Sequence, residues 1–311
     1  MQIRHYLFLI LATSLVCSCG EVEESAEPTV EGGEQTEAKS AESKPIEEKP
    51  VAKAPPAQPK FWSEVMLHDA IRGANKGYTG NGQFQIDEAG QVQAIALDNC
   101  GVADLGPLAG LPLQAIYLQG CPVPDVEALK GMSLVELYLE NSAIKDLSPL
   151  KGMQTLRKLY LSGTMVSDLK PLQGIPIMEM NLVNTKVKDL SGLEGMPLKM
   201  LWLTDTPVTD ISGLKGTSLV SLTLHRTAVK DLSPLSNTTL QRLHIGETPV
   251  TDLSPLKGLP LTRLVFDQEQ IQKGLDVIKQ MPTLQELGNK FEDGNTTLKP
   301  PAVYWQSKSA E

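Results

Sequence analysis

Leu156-Arg-Lys-Leu-Tyr-Leu-Ser-Gly-Thr164-Met-Val-Ser-Asp168-Leu-Lys-Pro171-Leu returns further along the chain as Leu240-Gln-Arg-Leu-His-Ile-Gly-Glu-Thr248-Pro-Val-Thr-Asp252-Leu-Ser-Pro255-Leu. In both stretches aliphatic residues hold the first, fourth and sixth places, threonine the ninth, aspartate the thirteenth and proline the sixteenth. Working outward, copies begin at Val92, Leu113, Leu134, Leu156, Ile177, Leu198, Leu219, Leu240 and Leu261, every 21 or 22 residues. The aspartate keeps the same time at Asp104, Asp125, Asp146, Asp168, Asp189, Asp210, Asp231 and Asp252. A fixed period of this length marks a repeat array, in which each unit buries its apolar face only against its neighbours.

Each copy predicts one coil. The opening aliphatic alternation has the two-residue period of a strand with one face in the core, so every coil adds one strand to a parallel sheet. The aspartate then accepts hydrogen bonds from free N–H groups where the chain turns, and the following proline suits the start of a short helical turn. Gly110, Gly131, Gly152, Gly174, Gly195, Gly216 and Gly258 mark the return bend, with Asn237 in their place in one coil; a left-handed backbone suits both residue types. Nine strands at about 4.8 Å give a solenoid roughly 40 Å long.

The pattern L-x-x-L-x-L followed by a polar residue resembles the leucine-rich-repeat family, and most closely the short bacterial class typified by the internalins. The resemblance covers Val92 to Leu287. It implies an α/β solenoid, a horseshoe with the parallel sheet on its concave face and short helical or 3-10 turns on the convex side. The family's Asn/Cys position is here Cys100, Cys121, Ser142, Thr164, Thr185, Thr206, Thr227 and Thr248, and a hydroxyl there is expected to donate to a neighbouring coil's carbonyl. A solenoid needs its ends covered. Residues 61–91 form the expected N-terminal cap, with an amphipathic helix over Phe61–Ala74 and a strand at Phe84 and Ile86. Glu269–Gln280 closes the other end of the 92–287 array. The tail, 288–311, carries an exposed Tyr304-Trp305 pair, packed on the last coil or loosely ordered.

Ahead of the array the chain changes character. Met1 to Arg4 give a charged start and Tyr6 to Val16 an apolar core, too short to span a bilayer comfortably. The following Leu15-Val16-Cys17-Ser18-Cys19 resembles the bacterial lipobox. That resemblance implies a signal peptide over 1–18, lipidation of Cys19 with acyl chains sufficient for stable anchoring, and, with Gly20 rather than aspartate next, sorting to the outer membrane. Residues 19–60, rich in Glu, Ala, Pro and Lys, cannot bury enough apolar surface to offset ordering entropy and read as a tether from a bacterial cell-envelope membrane.

The chain's net charge is −9, with 6 basic and 10 acidic residues in 1–60 and 22 basic and 27 acidic after it. Neither part has the basic excess of a nucleic-acid binder. No G-x-S-x-G, H-E-x-x-H or phosphate-loop motif occurs, so neither an enzyme nor a cofactor is indicated. Function is therefore sought on the sheet's solvent side, the third, fifth and seventh places of each coil. The central column reads Ala96, Tyr117, Tyr138, Tyr160, Asn181, Trp202, Thr223, His244 and Val265, in a chain with only six tyrosines and three tryptophans. Aromatics on a rigid sheet are effective interface anchors, although they also stabilise a sheet by stacking. Glu136 and Glu140 flank the early tyrosines; His225, Arg226, Arg242 and Arg263 flank the late positions. His225 and His244 read as two exposed imidazoles rather than metal ligands, for want of a third ligand nearby. Cys100 and Cys121 occupy equivalent places in adjacent coils, close enough for a disulfide, though their inward direction also suits buried thiols. These features predict a tethered module binding a protein partner; glycan or peptidoglycan binding and a purely structural envelope role stand as alternatives.

Overall fold

The computed structural model describes residues 61–292, 295–296 and 298–309; the expected signal peptide, Cys19 and the expected tether lie outside the described residues. Unit Gln58–Glu311 is compact. Its basis is the alternation within each strand. The residue at the fourth place of each coil points inward, so Ile95, Ile116, Leu137, Leu159, Met180, Leu201, Leu222, Leu243 and Leu264 are all buried and form one stacked column of the core. Aliphatic residues at the first and sixth places, such as Leu156 and Leu161, fill the layers beside it. Burial on this scale, repeated coil by coil, is the main stabilising term.

The strands are β1 (Gln83–Ile86), β2 (Val92–Ala96), β3 (Ala115–Tyr117), β4 (Glu136–Tyr138), β5 (Lys158–Tyr160), β6 (Glu179–Asn181), β7 (Met200–Trp202), β8 (Ser221–Thr223), β9 (Arg242–His244), β10 (Arg263–Val265) and β11 (Glu286–Gly288). They form one sheet in chain order, parallel from β2 onward. The sheet has 11 strands: the nine expected of the array, the expected cap strand β1, which runs antiparallel to β2, and β11, an addition past the last recognisable aspartate. The repeat is a leucine-rich-repeat solenoid, with a 3-10 turn on the far side of each coil from Gly106–Leu108 to Ser254–Leu256.

The aspartates act as the spacing required. One oxygen of each accepts the backbone N–H two residues on, from Gly106 N to Asp104 at 2.7 Å through to Ser254 N to Asp252 at 2.8 Å. For Asp146 and Asp189 those bonds first, and for Asp231 and Asp252 the serine hydroxyl first and then the backbone N–H, hold the carboxyls below the usual carboxylate range. The threonine ladder differs from expectation. Thr164, Thr185, Thr206, Thr227 and Thr248 donate within their own coil, to the carbonyl three residues back, at 2.6–2.8 Å. The reason is the left-handed residue before each of them, from Gly163 at φ 71° and Asn184 at φ 53° to Glu247 at φ 53°, which turns the hydroxyl back onto its own strand end. Cys100 and Cys121 are buried free thiols. Cys121 Sγ donates to Leu97 O at 2.9 Å and Cys100 Sγ to Asp98 O at 3.4 Å.

Helix α1 (Glu64–Ala74) seals the first coil with Leu67 and Ile71, and Ser63 Oγ accepts from Met66 N at its start. Asn75, buried, then joins cap to array: its Nδ2 donates to the Ile71 and Asp104 carbonyls, and its Oδ1 accepts from Ala103 N and Asp104 N. At the other end α2 (Leu275–Lys279) covers the last coil with Ile278. Of the two arrangements expected of the tail, its described residues take the one packed on the last coil, and Tyr304 is buried rather than exposed. An antiparallel bridge ties Leu287 to Lys299, and α3 (Pro301–Ser309) buries Tyr304 to 4% exposure beside Phe266. The reason is the raw apolar edge of the final coil, which an amphipathic ring can cover.

Candidate functional site

The parallel register carries the central column across the sheet in the expected order, Ala96 to Tyr117 to Tyr138 to Tyr160 to Asn181 to Trp202 to Thr223 to His244 to Val265. The tyrosines form a true stack. Tyr117 and Tyr138 lie 4.7 Å apart between ring centroids, and Tyr138 and Tyr160 4.5 Å, close to the strand spacing that sets them. Trp202 leans back across Asn181 toward Tyr160, at 6.0 Å. Asn181 yields the space by turning its carboxamide oxygen to Val183 N.

Stacking lowers exposure: Tyr117 is only 8% exposed, and Tyr138, Tyr160, Asn181, Trp202 and Thr223 are half-buried. Their hydroxyls are tied down at the third place of the coils. Glu136 accepts from Tyr117 at 3.1 Å and from Tyr138 at 3.4 Å while holding Lys158 Nζ at 2.9 Å; Glu179 accepts from Tyr160 at 3.1 Å. Burial first, then the neighbouring carboxylates, push the Tyr138 and Tyr160 hydroxyls well above the ordinary phenol range. Along the seventh place, burial raises Asp98 and Glu140. Glu140 Oε2 is buried with no hydrogen-bond partner among the described residues.

Toward the C-terminal end the face turns basic, with one difference from expectation. His225 and His244 are buried, not exposed, and stack at 4.5 Å. The space comes from Gly246: a Cβ there would stand 3.1 Å from His244 Nε2 and 3.3 Å from His225 Nδ1. His225 Nδ1–H donates to Gly246 O at 2.9 Å and Nε2 accepts from Arg226 at 2.6 Å. With both ring nitrogens so engaged it is poorly placed as a metal ligand. No group of three metal-capable side chains occurs among the described residues. Burial, then His225 and Arg226, push His244 down to about 4. Arg226 also forks onto Asp205 at 2.6 and 2.7 Å. Sequence reasoning missed that these residues, with Glu247, sit at positive φ of 53–59°; the signal was the Asn and Gly at the same place in earlier coils, Asn99, Gly120, Asn141, Gly163 and Asn184.

Beyond the outer face, Arg242 is exposed and makes no hydrogen bond or ion pair among the described residues, while Arg263 pairs with Glu286. A hollow of about 270 Å³ opens here, walled by Met200, Trp202, Arg242, His244 and Arg263.

Among solved structures the chain is similar to an internalin (inlF) from Listeria monocytogenes, 25% identical with TM-score 0.55, over 71% of this chain and 73% of that one. It is likewise similar to internalin C2 (inlC2) from the same organism, 24% identical with TM-score 0.55, over 65% of this chain and 92% of that one. No family model and no curated protein matches the chain.

Proposed function

We propose that this chain is a recognition module that binds a protein partner across the outer face of its sheet, from Tyr117 to His244, and is held at a cell-envelope membrane by lipid on Cys19. The internalin-like leucine-rich-repeat fold suggests protein–protein interaction, and solenoids of this kind use their extended sheet face for binding. The observation that carries the finer reading is the aromatic column itself. Four large rings stand outside a core that is already complete without them, fixed by stacking and by Glu136 and Glu179. Rigid aromatic area binds at small entropic cost.

The same geometry favours protein over glycan. A sugar stacks on the open face of a ring, whereas Tyr117, Tyr138 and Tyr160 turn their faces into one another and offer edges. Edges flanked by carboxylates on one half and guanidinium groups on the other suit a polypeptide of mixed charge.

The test compares the chain with a Tyr117→Ala, Tyr138→Ala, Tyr160→Ala, Trp202→Ala variant as bait in envelope extract, each captured protein being identified and retitrated in purified form. Capture of a partner that is lost from the variant, with the circular dichroism of both proteins alike, is expected. Equal capture overturns the reading.

A further inference from the structure

The aromatic column is broken at one strand. The outward residues of β8 are Ser221 and Thr223, both small, while β7 beside it raises Met200 and Trp202 and β9 raises Arg242 and His244. Neighbouring strands stand about 4.8 Å apart, so the two walls are about 9.6 Å apart. In the intact part of the column one strand step separates ring centroids by 4.5–4.7 Å. The gap over β8 is therefore one ring wide. Trp202 leans away from it toward Tyr160, His244 stacks on His225, two residues beyond Thr223 on the same coil, and the hollow lined by Trp202, Thr223 and His244 measures about 270 Å³.

The chemistry at its rim has one sign. Arg242 and Arg263 line the hollow; Glu286 neutralises Arg263, leaving Arg242 exposed without a partner among the described residues. A guanidinium in that condition is a ready two-pronged donor to a carboxylate.

We propose that this slot takes one aromatic side chain of a protein partner, stacked on Trp202 and bounded by His244, with a carboxylate on the same or the adjacent partner residue held by Arg242. The assignment rests on the outer sheet face being the binding face. It names the hot spot there: a ring entering a walled, largely apolar slot beside a charge is the arrangement that concentrates binding energy. A nucleotide also joins a flat ring to an anion, but the remainder of the face carries Asp98, Glu136, Glu140 and Glu179, which repel a phosphate backbone.

The slot is tested without knowing the partner. The full chain is titrated with N-acetylphenylalanine, N-acetylphenylalanine amide and adenosine monophosphate, read by the indole N–H signals of its three tryptophans. Expected is a saturable shift of the Trp202 signal by the free acid, with Kd on the order of 1 mM, and about fivefold weaker binding of the amide, which lacks the charge. Arg242→Gln brings the acid to the amide's level. Thr223→Tyr fills the gap and removes both, with circular dichroism unchanged because the residue faces outward. No saturable shift, a shift that survives Thr223→Tyr, or tighter binding of the nucleotide overturns the proposal. Those failures leave the capture comparison with the four-aromatic variant standing, so the slot falls alone; equal capture in that comparison overturns the face reading and the slot's protein occupant with it.

Discussion

Acidification strips stability from this fold through His244. Its ring is 7% exposed, and burial together with His225 and Arg226 lowers it from 6.5 to about 4. The unfolded chain takes up a proton near pH 6.5 and the folded chain does so only near pH 4, so the stability present above pH 6.5 is lost as the pH falls through that window. The full shift corresponds to about 3 kcal/mol, of which about 2 kcal/mol is gone by pH 5. Asp98 and Glu140, raised by burial, work in the opposite direction at lower pH, so the assay must be a difference. Urea unfolding of wild type and His244→Phe, at constant ionic strength from pH 7 to pH 5, supplies it. Phenylalanine keeps a ring against His225 and cannot be protonated. The wild type should lose about 2 kcal/mol more than the variant between these limits; parallel curves for the two proteins would show that His244 is not held deprotonated by the fold.

Three further outcomes follow from single contacts. Asn75→Leu leaves the Ala103 and Asp104 N–H groups without their acceptor and should cost about 2–4 kcal/mol, seen as a lowered thermal midpoint with early loss of α1 signal. Glu247→Gly relieves a left-handed backbone at φ 53° and should raise stability by about 0.5–1 kcal/mol in denaturant titration; destabilisation would mean that the exposed carboxylate matters more than the backbone. Thr206→Val removes a hydroxyl whose acceptor, Leu203 O, also receives Thr206 N, so the loss should be no more than about 1 kcal/mol.

Much of this architecture is legible in the period alone, because every coil meets the same requirements. Asp168 and Asp252 announce a turn whose N–H groups need an acceptor, and Leu159 and Leu243 a strand with one buried face; eight aspartates in step make the reading secure. The column from Tyr117 to His244 follows from the same count, since parallel register preserves position. What the period hides is whatever depends on a neighbour in space. The direction of the Thr206 hydroxyl depends on a left-handed residue one place earlier. The burial of His225 and His244 depends on the missing side chain of Gly246, in the coil that follows His225. Tyr304 is buried by an edge about 40 residues upstream, at Phe266. The slot over β8 is half-legible: Ser221 and Thr223 give the step in size, whereas the lean of Trp202 is a packing result.

The most direct test of outward-face recognition is site-specific photo-crosslinking in envelope extract. A benzoylphenylalanine at Asn181, inside the aromatic column, is compared with one at Lys215, exposed beyond the 3-10 turn Ser212–Leu214 on the opposite side of the coil. The account predicts a discrete adduct from position 181 and none from 215. An adduct from 215 with none from 181 would place recognition on the turn side and contradict it.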